Sequence, residues 1–289
     1  MQNLITIRDV LRYAVTAFNK VGLAHGHGAT NAVDEAAFLI LESLKLPVDD
    51  INPWAEARLT TAERDALLAL IEQRINTRKP AAYLVNRIYM QGVPFYVDER
   101  VIVPRSYIGE MMAKGLLSDL EVDYDAAESL LDLCTGSGCL AILAASQFPN
   151  AEIHAVDLSQ DALAVAAINV KDHGLLERIT LHQGNLFAPL GKMKFDFIIT
   201  NPPYVARAEV EAFPPEYKAE PQMAHLGGED GFDLVRHILR DAPKHLNKGG
   251  SLLCEVGTGG EILEVEFPDL NFFWLDSEES EGEVFFLKF

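Results

Sequence analysis

The chain is short of positive charge, of cysteine and of long apolar runs, and each shortage removes a class of function. It carries 24 Lys and Arg against 43 Asp and Glu, a net charge of -19. A body so acidic repels nucleic-acid phosphates, so DNA or RNA is not expected as a direct primary partner. Three cysteines, Cys134, Cys139 and Cys254, make no disulfide framework, and a reducing cytoplasm is the simplest home for them. No apolar run reaches the roughly 18 residues that a bilayer crossing needs, so no membrane span is expected. The opening "MQNLITIRDVLRYAVTAFNK" lacks a basic segment followed by an apolar stretch and a small-residue cleavage site, and is not read as a secretory leader. Internal repeats and low-complexity segments are also missing. What remains is 289 residues of ordinary globular composition, enough for one large domain or two smaller ones.

The charge is unevenly placed. Residues 1–106 hold 12 basic and 12 acidic side chains, whereas residues 107–289 hold 12 and 31. An acidic second part favours encounter with a basic partner, such as a protein that itself binds RNA, although solubility alone also accounts for such a charge.

Residues 1–82 read as a small helical domain. Val10, Leu11, Ala14, Val15 and Phe18 keep helical spacing behind Thr6 as N-cap. "NAVDEAAFLILESLKL" makes a second helix capped by Asn31. "TTAERDALLALIEQRINTR" makes a third, with Thr60 and Glu63 as a capping box and Pro80 closing it. Residues 83–106 turn to aromatic and β-branched side chains around Gly92 and read as a hairpin linker. In residues 107–289 strands alternate with helices: "SLLDLC", "AEIHAVD", "ITLHQGN", "FDFIITN" and "GGSLLCEVG" are strands. "GCLAILAASQF", "QDALAVAAINVKDHG" and "FDLVRHILRDAPKHL" are the helices between them. "NFFWLD" and "GEVFFLKF" follow as two strands, with the acidic run Asp276 to Glu283 as the turn between them. The pattern implies a doubly wound α/β sheet ending in an antiparallel pair.

Three strand ends carry chemistry that a nucleotide-like ligand would use. Thr135, Gly136, Ser137 and Gly138 form a glycine loop between strand and helix, where the backbone admits close approach and free N–H groups suit an anionic group. Such a loop also serves dinucleotides or makes a plain turn, and Ala141 stands where many dinucleotide folds have a third glycine. Asp157 ends the next strand, placed to accept hydrogen bonds from both ribose hydroxyls, or simply to cap the helix starting at Leu158. Asn185 could bond an adenine and Leu186 pack on it. The fourth strand ends in Asn201, Pro202, Pro203 and Tyr204. Two prolines cannot extend a central strand, so this tip is rigid, polar and aromatic.

"NPPY" after a fourth strand, with "DLCTGSG" upstream, resembles the class I methyltransferases that use S-adenosyl-L-methionine to alkylate a planar amino or amide nitrogen. Such a nitrogen is a poor nucleophile and must be oriented. The Asn201 oxygen and the Pro202 carbonyl can each accept one of its hydrogens, Pro203 stiffens the turn, and Tyr204 offers a flat face. The same fork would hold the amino group of adenine or cytosine. "FYVDERVIVPRSYIGE" narrows the choice, because it is similar to the segment before the catalytic domain of the protein-glutamine N5-methyltransferases. That resemblance implies that Pro104 and Arg105 lie near the cofactor, and that Asp132 and Leu158 join Thr135 to Gly138, Asp157, Asn185, Leu186 and Asn201 around it. The amino-terminal pattern and the tail "PDLNFFWLDSEESEGEVFFL" are most similar to the branch acting on a glutamine of large-subunit ribosomal protein L-three, before or during assembly. The branch acting on peptide-chain release factors, and nucleic-acid amino-methylation, are the alternatives. Members often have an acid where this chain has Asn185, so weakened but persisting cofactor binding is expected.

Other residues are given lesser parts. His25 and His27 have a spacing seen in metal sites but no companion ligand nearby in sequence, and a structural or substrate-contact role is expected. Cys134 and Cys139 are expected to be packing residues. Glu255 either orients the site or sits on a solvated rim.

Overall fold

A computed structural model of the chain describes residues 3–289 apart from 118, 119, 121 and 279. Glu279, within the acidic run, therefore lies outside the described residues. The chain begins with helices α1 (Ile7–Val21), α2 (Ala32–Leu44), α3 (Thr61–Thr77) and α4 (Ala81–Val85). Local chemistry sets their starts. Thr6 accepts from the Asp9 N–H while the Asp9 carboxylate accepts from the Thr6 N–H, and Thr60 and Glu63 repeat that exchange. The Asn31 oxygen accepts from the N–H groups of Val33 and Asp34. Pro80 does not close α3: Arg78 ends it in the left-handed conformation, and Pro80 instead precedes α4. That one-turn helix occupies part of the segment read as a hairpin. The hairpin itself is short, β1 (Ile88–Met90) against β2 (Val93–Phe95).

The rest is a seven-stranded sheet with β3 (Ser129–Leu133), β4 (Glu152–Asp157), β5 (Ile179–Gln183), β6 (Phe195–Thr200), β7 (Leu246–Glu255), β8 (Phe273–Leu275) and β9 (Val284–Lys288). Their order is β5-β4-β3-β6-β7-β9-β8. The first five are parallel, and β9 runs antiparallel between β7 and β8. Between them lie α5 (Tyr107–Ala113), α6 (Cys139–Gln147), α7 (Gln160–Asp172), α8 (Arg207–Glu211), α9 (Asp233–Asp241) and α10 (Glu261–Glu266). Helices α5, α8 and α10 are additions to the sequence reading. Each spans two turns or fewer, too short for apolar periodicity to show.

Alternation along the strands feeds two cores. Leu130, Phe197, Ile199 and Leu253 face a cluster with α5, α6 and α7, and Leu131, Ile198, Leu252 and Cys254 face a cluster with α9 and α10. Each such buried side chain contributes roughly 1.5–3 kcal/mol. Hairpin and strap residues Ile88, Phe95, Val97, Val101 and Val103 belong to the first cluster, so residues 83–106 are packed into the sheet body.

The helical residues have a third core, around Val10, Ala14, Phe18, Leu39 and Ile71, with a charge inside it. Arg74 is fully buried and donates to Glu35 at 2.6 Å and to the Ala24 carbonyl at 3.2 Å. Removing one partner of such a pair strands the other in low dielectric. Arg74→Ala is expected to destabilise the chain by about 3–5 kcal/mol. Urea unfolding checks this, and a loss below about 1 kcal/mol would show that Glu35 finds other compensation.

Candidate active site

The chain leaves β3 toward β4 on one side and β6 toward β7 on the other, so a crevice opens where these two neighbours end. It is a cleft of about 340 Å³. Its floor is formed by Thr135, Gly136 and Ser137 after β3, Asp157 and Leu158 after β4, Asn185 and Leu186 after β5, and Asn201 to Tyr204 after β6. Pro104 and Arg105 line one wall. The strand ends and the segment before α5 thus bring together all but two of the expected site residues. Gly138 faces the other way, toward α7, where a Cβ would sit 3.3 Å from the Ala166 methyl. Asp132 lies beneath the loop with no exposure.

Asp132 shapes the glycine loop from below. Its Oδ2 accepts from the Thr135 hydroxyl at 2.6 Å and from the Ala141 N–H at 3.0 Å, tying the loop to α6. Its Oδ1 is buried and has no hydrogen-bond partner among the described residues, and burial pushes its pKa up to about 7. Above it the backbone turns left-handed at Gly136, with φ of 56°, leaving bare backbone toward the cleft. Asp157 secures the same turn: its Oδ2 accepts from the Gly136 N–H at 2.8 Å, and its Oδ1 accepts from the Ser159 N–H at 2.8 Å. Asp157 is not the cap of α7. Ser159 is, accepting from the Ala162 N–H. The Leu158 N–H also bears on this carboxylate, which still keeps acceptor capacity toward the cleft that it lines. Burial raises its pKa from the ordinary value.

Asn201 and Tyr204 are fixed from behind. The Asn201 Nδ2 donates to the Arg105 carbonyl at 3.0 Å, which leaves its Oδ1 as the atom available to a ligand in the cleft. The Tyr204 hydroxyl donates to Glu255 at 3.1 Å. Glu255 is no rim residue: it is 2% exposed, and its other oxygen accepts from the Ser106 hydroxyl at 2.6 Å and the Tyr107 N–H at 2.9 Å. Burial pushes its pKa up to about 7 despite these donors. Cys139 is buried as expected of a packing residue, whereas Cys134 is half-buried and lines the cleft; desolvation drives both thiols up and away from the reactive thiolate.

A second wall was not anticipated. Phe213, Tyr217, Met223 and His225 line the cleft from the segment between β6 and α9. The length of that segment and its prolines were the available signal, since loops this long in a compact domain are commonly functional. The two amino-terminal histidines turn to different carboxylates, His25 to Glu35 at 3.0 Å and His27 toward Glu220 at 3.3 Å.

A methyltransferase small domain is matched by residues 111–213, from within α5 to just past α8, which includes all four loops of the cleft floor. The chain is 58% identical to the ribosomal protein uL3 glutamine methyltransferase of Bradyrhizobium diazoefficiens, over 98% of this chain and 91% of that protein. The protein of the same name from Burkholderia pseudomallei is 50% identical, over 98% and 94%. The chain belongs to the ribosomal protein uL3 glutamine methyltransferase family. In this family's chain the fold is also that of a solved methyltransferase structure, the hMettl16 catalytic domain in complex with MAT2A 3'UTR hairpin 1. The TM-score is 0.53 at 14% identity, covering 88% of this chain and 90% of that one.

The raised pKa of Glu255 gives a stability signature with a definite sign. A carboxyl whose pKa climbs from 4.5 to about 7 on folding lends stability below about 4.5 that is lost as pH rises through about 7. Glu255→Gln, neutral throughout, should therefore flatten the fall in Tm between about pH 5 and about pH 8. Parallel Tm profiles for parent and variant would show that Glu255 does not hold its proton this way.

Proposed function

We propose that this chain moves a methyl group from S-adenosyl-L-methionine to the side-chain amide nitrogen of a glutamine in ribosomal protein uL3, the large-subunit protein L-three. The observation that carries the reading is the bond from Asn201 Nδ2 to the Arg105 carbonyl, because it ties the donor end of the amide to the protein and leaves the acceptor Oδ1 for a ligand. A fork of two acceptors, Asn201 Oδ1 and the Pro202 carbonyl, suits an NH₂ group and suits a carbonyl or hydroxylate poorly.

The residues present fit the cofactor. Asp157, with acceptor capacity left toward the cleft, would take the ribose hydroxyls. The bare Gly136 backbone would face its methionine part, and Asn185 and Leu186 would take the adenine. When bound, S-adenosyl-L-methionine supplies a methyl group on an electron-poor sulfonium. The protein's part is to orient and to dry. Asn201 and Pro202 hold both amide hydrogens, so the nitrogen is aimed and its rotation stopped. Tyr204, anchored through its hydroxyl to Glu255, lays its ring against the amide plane. Among the described residues Asp157 is the one carboxylate in the cleft lining, so the proton freed from the methylated nitrogen is assigned to water. Residues 1–82 are the proposed recognition domain, and the acidic charge of residues 107–289 suits a basic ribosomal protein. A cytoplasmic reaction, on the substrate before or during assembly, is part of this proposal.

The test uses labelled S-adenosyl-L-methionine with purified unassembled uL3 and with a peptide-chain release factor, followed by mass spectrometry. Label on one glutamine of uL3 alone is the expected result. Label on the release factor alone would overturn the substrate. In the same assay Asn201→Ala should lower turnover by about 100-fold, with cofactor affinity within about threefold of the parent. Near-parent turnover in that variant would overturn the fork.

A further inference from the structure

Asn201 is held by a main-chain oxygen of Arg105, so whatever fixes residues 103–105 also fixes the fork. Glu220 meets that requirement. It belongs to the segment between β6 and α9, and its side chain is wholly buried. One oxygen accepts from the Val103 N–H at 2.9 Å and from Arg105 Nη1 at 3.0 Å, and the other accepts from Arg105 Nη2 at 2.9 Å. Arg105 Nη1 also donates to the Val103 carbonyl at 3.2 Å. One carboxylate thereby closes the strap into a ring of hydrogen bonds whose outward carbonyl takes Asn201.

Glu220 also faces the helical residues. Two imidazoles approach its Oε2, His225 at 3.0 Å and His27 at 3.3 Å, both without hydrogen-bond alignment. His27 comes from the loop between α1 and α2, and its ring lies 4.3 Å from that of Tyr217. In the same loop Gly26 passes so close to the Tyr217 hydroxyl that a Cβ there would stand 2.6 Å from it. The amino-terminal loop therefore bears directly on the segment that carries Glu220.

Such a pair is a poor device for stability alone. The Arg105 side chain is 34% exposed, so water screens part of its attraction for Glu220, and an apolar pair of similar volume often stabilises as well. What an apolar pair cannot do is dictate where a carbonyl points. We infer that Glu220 is a positioning residue for the transfer reaction, setting the orientation of Asn201 through the Val103–Arg105 strap and linking it to the loop that carries His27. The inference rests on the reading of Asn201 as the substrate fork.

A double-mutant cycle on the full chain separates this from a merely structural role. Four proteins are compared under saturating uL3 and cofactor: parent, Glu220→Gln, Asn201→Ala and the double variant. Glu220→Gln should lower kcat by about 10- to 100-fold while KM for uL3 and cofactor affinity stay within about threefold. On the Asn201→Ala background the same change should cost nothing further, because the group it positions is gone. Parent-like kcat for Glu220→Gln, or a full loss repeated on Asn201→Ala, would overturn the inference and leave the fork standing. Parent-like turnover for Asn201→Ala would remove the fork itself. If Glu220→Gln fails to bind cofactor, Arg105→Lys replaces it in the cycle, keeping the charge and losing the two-pronged contact. A loss of kcat that vanishes on Asn201→Ala is again expected, and one that persists overturns the proposal.

Discussion

The site depends on the parallel pairing of β3 with β6. Leu133 stands opposite Thr200 at the last rung, and the Thr200 hydroxyl donates to the Leu133 carbonyl at 2.9 Å, closing the pair where both strands end. Parallel neighbours need crossovers, and those helices cover both faces of the sheet, so strand ends are the exposed part left to bind a ligand. Because the chain departs from β3 and β6 in opposite directions, their loops part instead of crossing. The glycine loop and the Asn201 fork then face each other across one cleft, one suited to a cofactor and one to an amide.

Around that cleft the protein places carboxylates where water does not reach them, and each immobilises a different wall. Asp132 ties the glycine loop to α6, Glu255 ties Tyr204 to the start of α5, and Glu220 ties the Val103–Arg105 strap. Their environments differ in kind. Asp132 and Glu255 have neutral donors, and burial pushes both up to about 7. Burial would raise Glu220 as well, but His225, His27 and the Arg105 guanidinium outweigh it and hold the carboxyl far below its ordinary value. A methyl transfer that relies on orientation rather than on a strong base has use for such rigid walls, since small misplacements of the nitrogen cost large factors in rate.

What could be read from the sequence was what neighbours along the chain decide. The caps at Thr6, Asn31 and Thr60 are exchanges within four residues, and the glycine loop, Asp157 and the Asn201–Tyr204 tip each sit at the end of their own strand. Their meeting in one cleft followed from the alternation of strands and helices. From sequence Glu255 admits two readings, and Glu220 is beyond reach, for the opposite reason. Ser106 and Arg105, which explain them, lie 149 and 115 residues away. Asp157 and Ser159 are both good capping residues two positions apart, and only the bond to the Gly136 N–H shows how the two tasks divide. Gly138 looked like a second ligand-facing glycine, but its left-handed backbone, with φ of 81°, and the close approach of α7 are what require it.

The most direct measurement is a crystal structure of the chain with S-adenosylhomocysteine and a uL3 segment containing the methylated glutamine. The account predicts the glutamine amide nitrogen within about 3 Å of both Asn201 Oδ1 and the Pro202 carbonyl, with Asn201 Nδ2 still bonded to Arg105. A glutamine bound through its oxygen to Asn201 Nδ2, or an Asn201 turned away from Arg105, would contradict it.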